Sequence, residues 1–308
     1  MIKRVKRILS FICAIIFFVI NTSSNHVYAE NLFKIDLDDL KGKLVIIHTN
    51  DTHGFLLNDS ERSLDAASLV TIKKIFESVG AKVLLLDAGD TIFGTPMFKN
   101  DLGSKMVELI NEIGYDAITT GNHDYDYGGQ RLLDVTSKLT VPLVVSNLIY
   151  TTTQKTAAKR YIIVEKGNIR IGIFGITTPN EITGFEKYGD GSLTLTDPLI
   201  AAKEVSKKLR KEGADIIIAL GHIGMDYRSE LSSLDVITEA PDIDLFIDAH
   251  SHSSIKLRLV HENGNQTLLV RNLHYFTEIG VVVVDQDGYM HPYTIQKSEM
   301  EKFIEDYQ

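Results

Sequence analysis

The sequence contains almost no cysteine. Its single cysteine, Cys13, lies inside an N-terminal apolar run, and the residue before it is isoleucine, whereas a lipoprotein signal needs a small residue there. We therefore do not expect lipidation. A chain that has lost this run has no cysteine left, so disulfide bonds are excluded and packing, with or without bound metal, must stabilise the fold.

The sequence also lacks an apolar run long enough to span a bilayer. The longest run, Ile8–Ile20, is shorter than the ~20 residues that a spanning helix needs. Basic residues between Lys3 and Arg7 precede it, and a polar stretch ending in the small-residue segment Val27–Ala29 follows. This order predicts a secretory signal peptide at residues 1–29, cleaved after Ala29. The mature protein would then be secreted, periplasmic or at the cell surface, without a stable membrane anchor; the alternative is an uncleaved anchor.

Positive charge is in deficit. The formal net charge is -9, and removing the four basic residues of the signal segment takes it to -13. An acidic mature protein is poorly suited to bind a nucleic acid polymer. An anionic small molecule would need local positive charge, which metal ions can supply.

Apolar runs with the character of strands alternate with amphipathic stretches, a pattern that predicts an α/β fold with parallel or mixed sheets. The strand-like runs are Leu44–Ile47, Val83–Leu86, Ala117–Thr119, Leu143–Val145, Ile169–Ile176, Asp215–Leu220, Leu245–Ile247, Thr267–Arg271 and Ile279–Val284. Three helices are predicted: Leu64–Val79, a stretch capped by Ser104 and ended by Gly114, and a stretch from Asp197 and Pro198 to Gly213.

Five polar clusters follow directly after apolar runs: "HTNDTHG", "LLLDAGD", "TTGNHDYD", "ALGHIGMD" and "IDAHSHS". Ligands of open α/β sheets bind beyond the carboxyl ends of strands, so these clusters can converge. Their candidate metal ligands are Asp51, His53, Asp90, Asn122, His222, His250 and His252. Seven ligands are too many for one tetrahedral ion and suit two divalent ions. Imidazole with oxygen ligands, and no thiolate, favours zinc, manganese, iron or cobalt.

These motifs, in this order, resemble those of the calcineurin-like metallophosphoesterases. "HTNDTHG" with "GNHDYD" is similar to the secreted 5′-nucleotidase and UDP-sugar hydrolase branch. The resemblance covers residues 42–296 and implies a four-layer α/β/β/α sandwich with two mixed sheets. The expected organisation is a signal peptide at 1–29, a linker at 30–41, a catalytic domain at 42–296 and a polar C-terminal helix at 297–308.

The resemblance also implies roles for the candidate residues. Asp51, His53 and His252 would hold one metal. Asn122, His222 and His250 would hold the other, and Asp90 would bridge the two. His123 would lie beside the phosphoryl group as a positively charged donor, oriented by Asp126. The implied activity is hydrolysis of nucleotide monoesters by attack of metal-bound hydroxide.

Three alternatives stay open: a 2′,3′-cyclic nucleotide phosphodiesterase, a nucleotide-sugar pyrophosphatase, and a non-catalytic surface protein that binds metal for stability. Two-domain nucleotidases carry a second domain that binds the base, and this sequence stops before it. We therefore expect an open site with weak base discrimination, or a partner domain supplied in trans.

Other polar and aromatic residues near the motifs are interpreted as structural. His48 and Asp87 are expected to form hydrogen bonds at strand ends, and Tyr125 and Tyr127 to pack beside the site. His261, His274 and His291 are expected at the surface or in packing, with His274 the most plausible exception. Asp226 is compatible with a loop cap or with a hydrogen bond to a metal-binding residue.

Overall fold

The structure is a computed structural model that describes residues 35–56, 64–94, 102–180, 191–225 and 231–307. The predicted signal peptide, the first part of the predicted linker and Asp226 lie outside the described residues. Within the described ranges no helix has the length and apolar character needed to cross a membrane.

The helices and strands follow the apolar pattern of the sequence. The strands are β1 Leu44–Thr49, β2 Lys82–Asp87, β3 Ala117–Ile118, β4 Leu148–Tyr150, β5 Tyr161–Lys166, β6 Ile169–Thr177, β7 Leu193–Leu195, β8 Ile216–His222, β9 Leu245–Asp248, β10 Ile255–Val260, β11 Gln266–Arg271, β12 Glu278–Val284 and β13 Met290–Gln296. The helices are α1 Ala66–Ser78, α2 Ser104–Ile113, α3 Gly129–Thr136, α4 Pro198–Lys211, α5 Ser233–Glu239 and α6 Lys297–Tyr307, with 3₁₀ turns at Leu37–Leu40 and His123–Tyr125.

Two mixed sheets form the centre. One has the order β13-β12-β1-β2-β3 and the other β10-β11-β9-β8-β6-β5. In the first, β1, β2 and β3 run parallel; in the second, β6, β8, β9 and β11 do. β12 pairs antiparallel with both β1 and β13, β10 pairs antiparallel with β11, and β5 pairs antiparallel with β6. The carboxyl ends of the parallel strands are therefore where the polar clusters of the sequence emerge.

The apolar side chains divide into layers. Leu44 and Ile46 of β1 belong to a buried cluster that includes Ile173, Ile218 and other residues of the second sheet, so these two faces pack together. On the other face of the second sheet, side chains of β6, β8 and β9 pack with α4 and α5. On the other face of the first sheet, α1 packs against β2. The predicted four-layer α/β/β/α arrangement is confirmed.

Three local predictions need correction. Leu143–Val145 forms only isolated bridges to Ile118 and Lys159, because it touches each neighbour at a single residue. Ser104 does not cap α2: the cap is Gly103, at φ 86°, and the Ser104 hydroxyl instead lies 3.2 Å from an Arg131 guanidinium nitrogen that donates to it. The C-terminal helix is not uniformly polar.

The C-terminal helix, α6, packs against α1. Met300 is buried, and the ring of Phe303 lies 6.2 Å from the ring of Phe76 in α1. The segment has few apolar residues, so its sequence predicted a polar helix. In the structure these two apolar side chains share one face. By contrast, the predicted start of α4 is confirmed, since the Asp197 carboxylate accepts hydrogen bonds from the amides of Leu199 and Ile200.

Candidate active site

The seven predicted ligands converge where the two sheets meet. Asp51 and His53 follow β1, Asp90 follows β2, and Asn122 follows β3. His222 is the last residue of β8, and His250 and His252 follow β9. Within the described residues, two groups have ligand atoms all within 4.8 Å of one another: Asp51 with His53 and His252, and Asp51 with Asp90 and His222.

Side-chain atoms of the two groups lie within 4 Å of one another. His53 Nε2 lies 3.1 Å from His252 Nε2 and 3.7 Å from Asp90 Oδ2. His222 Nε2 lies 3.2 Å from the same Asp90 oxygen. Asp90 Oδ2 therefore lies near one histidine from each of the two ligand sets that the resemblance implied. Asp51 Oδ1 also reaches both, at 3.6 Å from His252 Nε2 and 3.9 Å from His222 Nε2.

Asn122 and His250 adjoin the second group. The amide oxygen of Asn122 lies 2.9 Å from His250 Nδ1 and 3.2 Å from His222 Nε2. His222 Nδ1 donates to the carbonyl of Ala88 at 3.0 Å, which aims the other ring nitrogen at the cluster. Fixing a histidine through its second nitrogen is the usual way proteins orient a metal ligand.

The backbone at the ligands is strained. Asp51, His53, Asp90, His250 and His252 have φ values of 49°, 47°, 56°, 76° and 50°. This left-handed region is uncommon for residues other than glycine and costs of the order of 1–3 kcal/mol at each position. Such strain persists only where the surroundings over-determine the conformation, and it concentrates at functional sites.

Asp124 holds two of the ligand loops together. Its buried carboxylate accepts hydrogen bonds from the amides of Asp90 (2.9 Å), Ile92 (2.9 Å) and Gly121 (2.8 Å). Gly121 must be glycine because a β-carbon there would collide with the Asp90 carboxylate and the His222 ring. Sequence reasoning missed this role, although Asp124 lies inside the "GNHDYD" motif.

A second network fixes the loop after β1. The Asn50 amide donates to Asp51 Oδ2 at 2.7 Å and to the carbonyl of Asn272 at 3.0 Å. The Asn272 side chain in turn donates to the carbonyl of His48 at 3.1 Å. Asp87 accepts from Thr49, Thr91 and Gly89, which confirms that it is a hydrogen-bonding residue at a strand end.

A buried ion pair supports the loops after β8 and β9. Arg271 Nη1 lies 2.7 Å from Asp248 Oδ2, and both side chains are almost fully buried. Arg271 also donates to the carbonyl (2.6 Å) and hydroxyl (2.7 Å) of Ser253, while Asp248 accepts from the amide of Gly224 (3.0 Å). Neither residue of this pair is among the sequence-predicted site residues.

The predicted catalytic pair lies beside the cluster and is more exposed. His123 Nδ1 lies 3.2 Å from Asp126 Oδ2, and 47% of the His123 side chain is exposed. The ring of His123 is 5.2 Å from that of His53. The hydrogen bond to Asp126 raises the pKa of His123 to about 9, against the opposing effect of burial. A positively charged donor thus faces the edge of the ligand cluster.

Nearby imidazoles stabilise the ionised form of the buried Asp90 carboxylate. Burial alone would raise the pKa of Asp90, but the nearby imidazoles of His222 and His53 outweigh burial and hold it below its usual value. Burial disfavours the charged form of His222, yet Asp90 and Asp51 raise its pKa to about 10. Among the described residues neither Asp51 nor Asp90 is paired with a lysine or arginine; the basic side chains near them are histidines.

This donor set fits divalent transition metals. Two donors bound about 2.1 Å from one tetrahedral ion lie ~3.4 Å apart, close to the separations between nitrogen and oxygen atoms in the cluster. Imidazole, carboxylate and amide ligands match zinc, manganese, iron or cobalt, and a bound ion would replace the proton that His222 otherwise takes up.

The other residues interpreted as structural lie away from the site or pack beside it. His261 contacts Thr267 and His291 contacts Asp285, both away from the site. Tyr125 is buried, with its hydroxyl 3.0 Å from that of Thr120, and Tyr127 packs on Phe93, so both pack as expected. His274 lies beside the site, where its ring stacks on His252, so it packs as expected.

Comparison with known proteins agrees with the fold and the cluster. Residues 44–254 match the calcineurin-like phosphoesterase family, and the chain belongs to that family. A 5′-nucleotidase of Vibrio cholerae is 29% identical over 227 residues, which cover 69% of this chain and 41% of the relative. A 2′,3′-cyclic-nucleotide 2′-phosphodiesterase/3′-nucleotidase of Haemophilus influenzae is 26% identical over 243 residues, covering 69% of this chain and 37% of the relative. The chain thus spans about two fifths of the length of these curated relatives.

Among solved structures, the calcineurin-like phosphoesterase YfkN of Bacillus subtilis aligns with a TM-score of 0.68 and 21% identity, over 86% of this chain and 96% of that one. At this identity the likeness concerns the fold. The overall fold of this chain is therefore shared with that solved structure.

Proposed function

We propose that this protein hydrolyses phosphate monoesters of nucleotides with the help of two divalent metal ions. The observation that carries the proposal is the convergence of seven candidate nitrogen and oxygen donors from five strand ends beside an exposed histidine–aspartate pair. The family membership and a relative named 5′-nucleotidase support the substrate class.

In this proposal Asp51, His53 and His252 would hold one ion, and Asn122, His222 and His250 would hold the other. Asp90 would serve both. The position of Asp90 Oδ2, 3.7 Å from His53 Nε2 and 3.2 Å from His222 Nε2, supports the bridging role. When bound, the ions would neutralise phosphoryl oxygens and lower the pKa of a water molecule toward neutrality.

The residues of the chain act on the substrate beside that cluster. His123, held by Asp126, donates a hydrogen bond to a phosphoryl oxygen as negative charge develops, or transfers its proton to the departing alkoxide. Asp126 keeps the ring oriented and positively charged at neutral pH. The strained loops pre-position the ligand atoms, so that less ordering is required when metal and substrate bind.

A cyclic phosphodiesterase is the second candidate, because one of the relatives carries that name and the same ligand set can serve a diester. The proposal also includes export through residues 1–29 and leaves open a partner domain that completes the nucleotide pocket. These features rest on the sequence.

A substrate panel tests the proposal. Protein reconstituted with manganese, zinc or cobalt is assayed for phosphate release from AMP, ATP and UDP-glucose, and for cleavage of 2′,3′-cyclic AMP and bis(p-nitrophenyl) phosphate. We expect release from AMP. Cleavage of the diesters alone would replace the proposal with the second candidate. Absence of turnover on every ester, in protein that binds metal, would favour a non-catalytic binding protein.

A further inference from the structure

The loop between β11 and β12 places an exposed aromatic ring beside the ligand cluster. Tyr275 is 41% exposed, and its ring centroid lies 5.6 Å from that of His53 and 6.0 Å from that of His252. The ring of Phe55 lies 4.8 Å from Tyr275 at an angle of 36°. We call Phe55 and Tyr275 the aromatic shelf. The cluster uses neither side chain as a ligand.

The backbone holds this ring in a strained conformation. Tyr275 and Phe276 have φ values of 58° and 54°, in the left-handed region that aromatic residues rarely adopt. The amide of Tyr275 donates to the carbonyl of Asp51 at 2.8 Å, and the carbonyl of Phe276 accepts from Leu64 at 2.8 Å. Phe276 is buried and anchors the loop, whereas Tyr275 is left exposed. Strain that keeps an apolar ring in solvent beside a reactive cluster points to a ligand.

His274 connects the shelf to the cluster. Its ring stacks on His252 with centroids 4.4 Å apart and planes 14° apart, and it meets Tyr275 edge-on at 4.2 Å. In the described part of the chain its buried Nδ1 atom has no hydrogen-bond partner. The ring is therefore held by stacking, and it fixes the distance between Tyr275 and the ligand His252.

We propose that the aromatic shelf receives a planar aromatic group on the alcohol side of the phosphate ester, either a nucleobase or an aryl ring. This inference rests on the proposed function, because the shelf borders the phosphoryl site assigned there. The ring of His53 contacts the rings of both His123 and Tyr275. The alcohol part of an ester that departs beside His123 is therefore separated from the shelf only by the His53 side chain. Stacking on an aromatic face tolerates any base and requires no hydrogen-bond partner.

Kinetics with three monoesters test the shelf. Tyr275→Ala is expected to lower kcat/KM for AMP and for p-nitrophenyl phosphate by about 5- to 100-fold, the range that loss of one base–aromatic stack produces, and to affect ribose 5-phosphate much less. Tyr275→Phe keeps the ring and should restore both values. The control is Tyr289→Ala, since Tyr289 is also exposed but lies over Arg258 on a distant turn. A loss confined to AMP identifies a nucleobase site, and one confined to p-nitrophenyl phosphate an aryl site. Equal losses on all three esters would overturn the inference and make Tyr275 a support for His53.

Binding without turnover separates the shelf from the proposed function. The chain has no tryptophan, so Tyr275→Trp places a single fluorescent reporter on the shelf. Adenosine, which carries no phosphate, should quench its fluorescence saturably at millimolar concentration, and ribose should not. Tyr289→Trp is the matched control and should show no saturable quenching. Quenching supports the shelf even if no ester is hydrolysed. No quenching of Tyr275→Trp overturns the shelf even if AMP is hydrolysed.

Discussion

Replacing Arg271 with methionine is expected to destabilise the protein more than replacing Arg271 and Asp248 together. The pair is buried at 2.7 Å, and Arg271 also donates two hydrogen bonds to Ser253. Arg271→Met leaves the Asp248 carboxylate buried, and the amide of Gly224 is then its only donor among the residues that the structure describes. Removing one partner of a buried pair costs about 3–5 kcal/mol, because the remaining charge is neither hydrated nor paired.

The double variant tests the cause of that loss. Asp248→Asn keeps an oxygen that can accept from Gly224 but removes the charge. Combined with Arg271→Met, it should recover about 1–2 kcal/mol of the loss, because replacing both charges avoids the uncompensated desolvation. The second substitution is therefore expected to increase stability.

Urea unfolding in the presence of a chelator measures both variants, so that metal binding does not contribute to the apparent stability. Arg271→Met should lower the midpoint by roughly 1 M or more, for a slope of about 3 kcal/mol per molar urea. A double variant that is less stable than Arg271→Met would refute the reasoning. The pair would then contribute mainly through packing and through hydrogen bonds lost one by one.

Three further predictions follow from the site and its supports. Gly121→Ala should lower metal content, because the added β-carbon would collide with the side chains of two candidate ligands. The control is Gly191→Ala, since nothing lies within 4 Å of a β-carbon at that position. Unchanged metal content in Gly121→Ala would contradict the close approach. His123→Ala should keep its metal while kcat on AMP falls roughly 10²–10⁴-fold, with a smaller loss on p-nitrophenyl phosphate if His123 protonates the leaving group; loss of metal would mean that its role is misassigned. Burial lowers the pKa of His48 from 6.5 to about 3, so between these values the unfolded state takes up a proton that the folded state excludes. Stability should fall by up to ~1.4 kcal/mol per pH unit as the pH drops through this window, and His48→Gln should flatten that slope in urea unfolding; parallel slopes would contradict the assignment.

The sequence predicted the centre of each sheet better than its edges. β1 and β8 are buried along their whole length, so they appear as continuous apolar runs. β5 and β10 lie at sheet edges and are only partly buried, so their apolar signal is diluted and they were missed. β4 and β7 are three-residue strands, too short to show a period.

The same difference separates the ligands from their supports. The convergence of the candidate ligands was predictable because each stands in a short motif after an apolar run. Arg271 has no such signal, since its partner Asp248 is 23 residues away and the pairing exists only after β9 and β11 align. Tyr275 follows a strand in an unremarkable loop, and only the folded chain shows that its amide binds the carbonyl of Asp51.

Metal content measured together with phosphate release tests the central claim most directly. Purified protein should hold close to two transition-metal equivalents, lose AMP hydrolysis on chelation and regain it with manganese, zinc or cobalt. Asp90→Ala should lower occupancy at both sites, because Asp90 contacts His53 and His222, which are proposed to hold different ions. Asn122→Ala should lower occupancy mainly at one, because Asn122 contacts His222 and His250, which are proposed to hold the same ion. Full activity in metal-free protein, or equal and small losses of metal in both variants, would contradict the account.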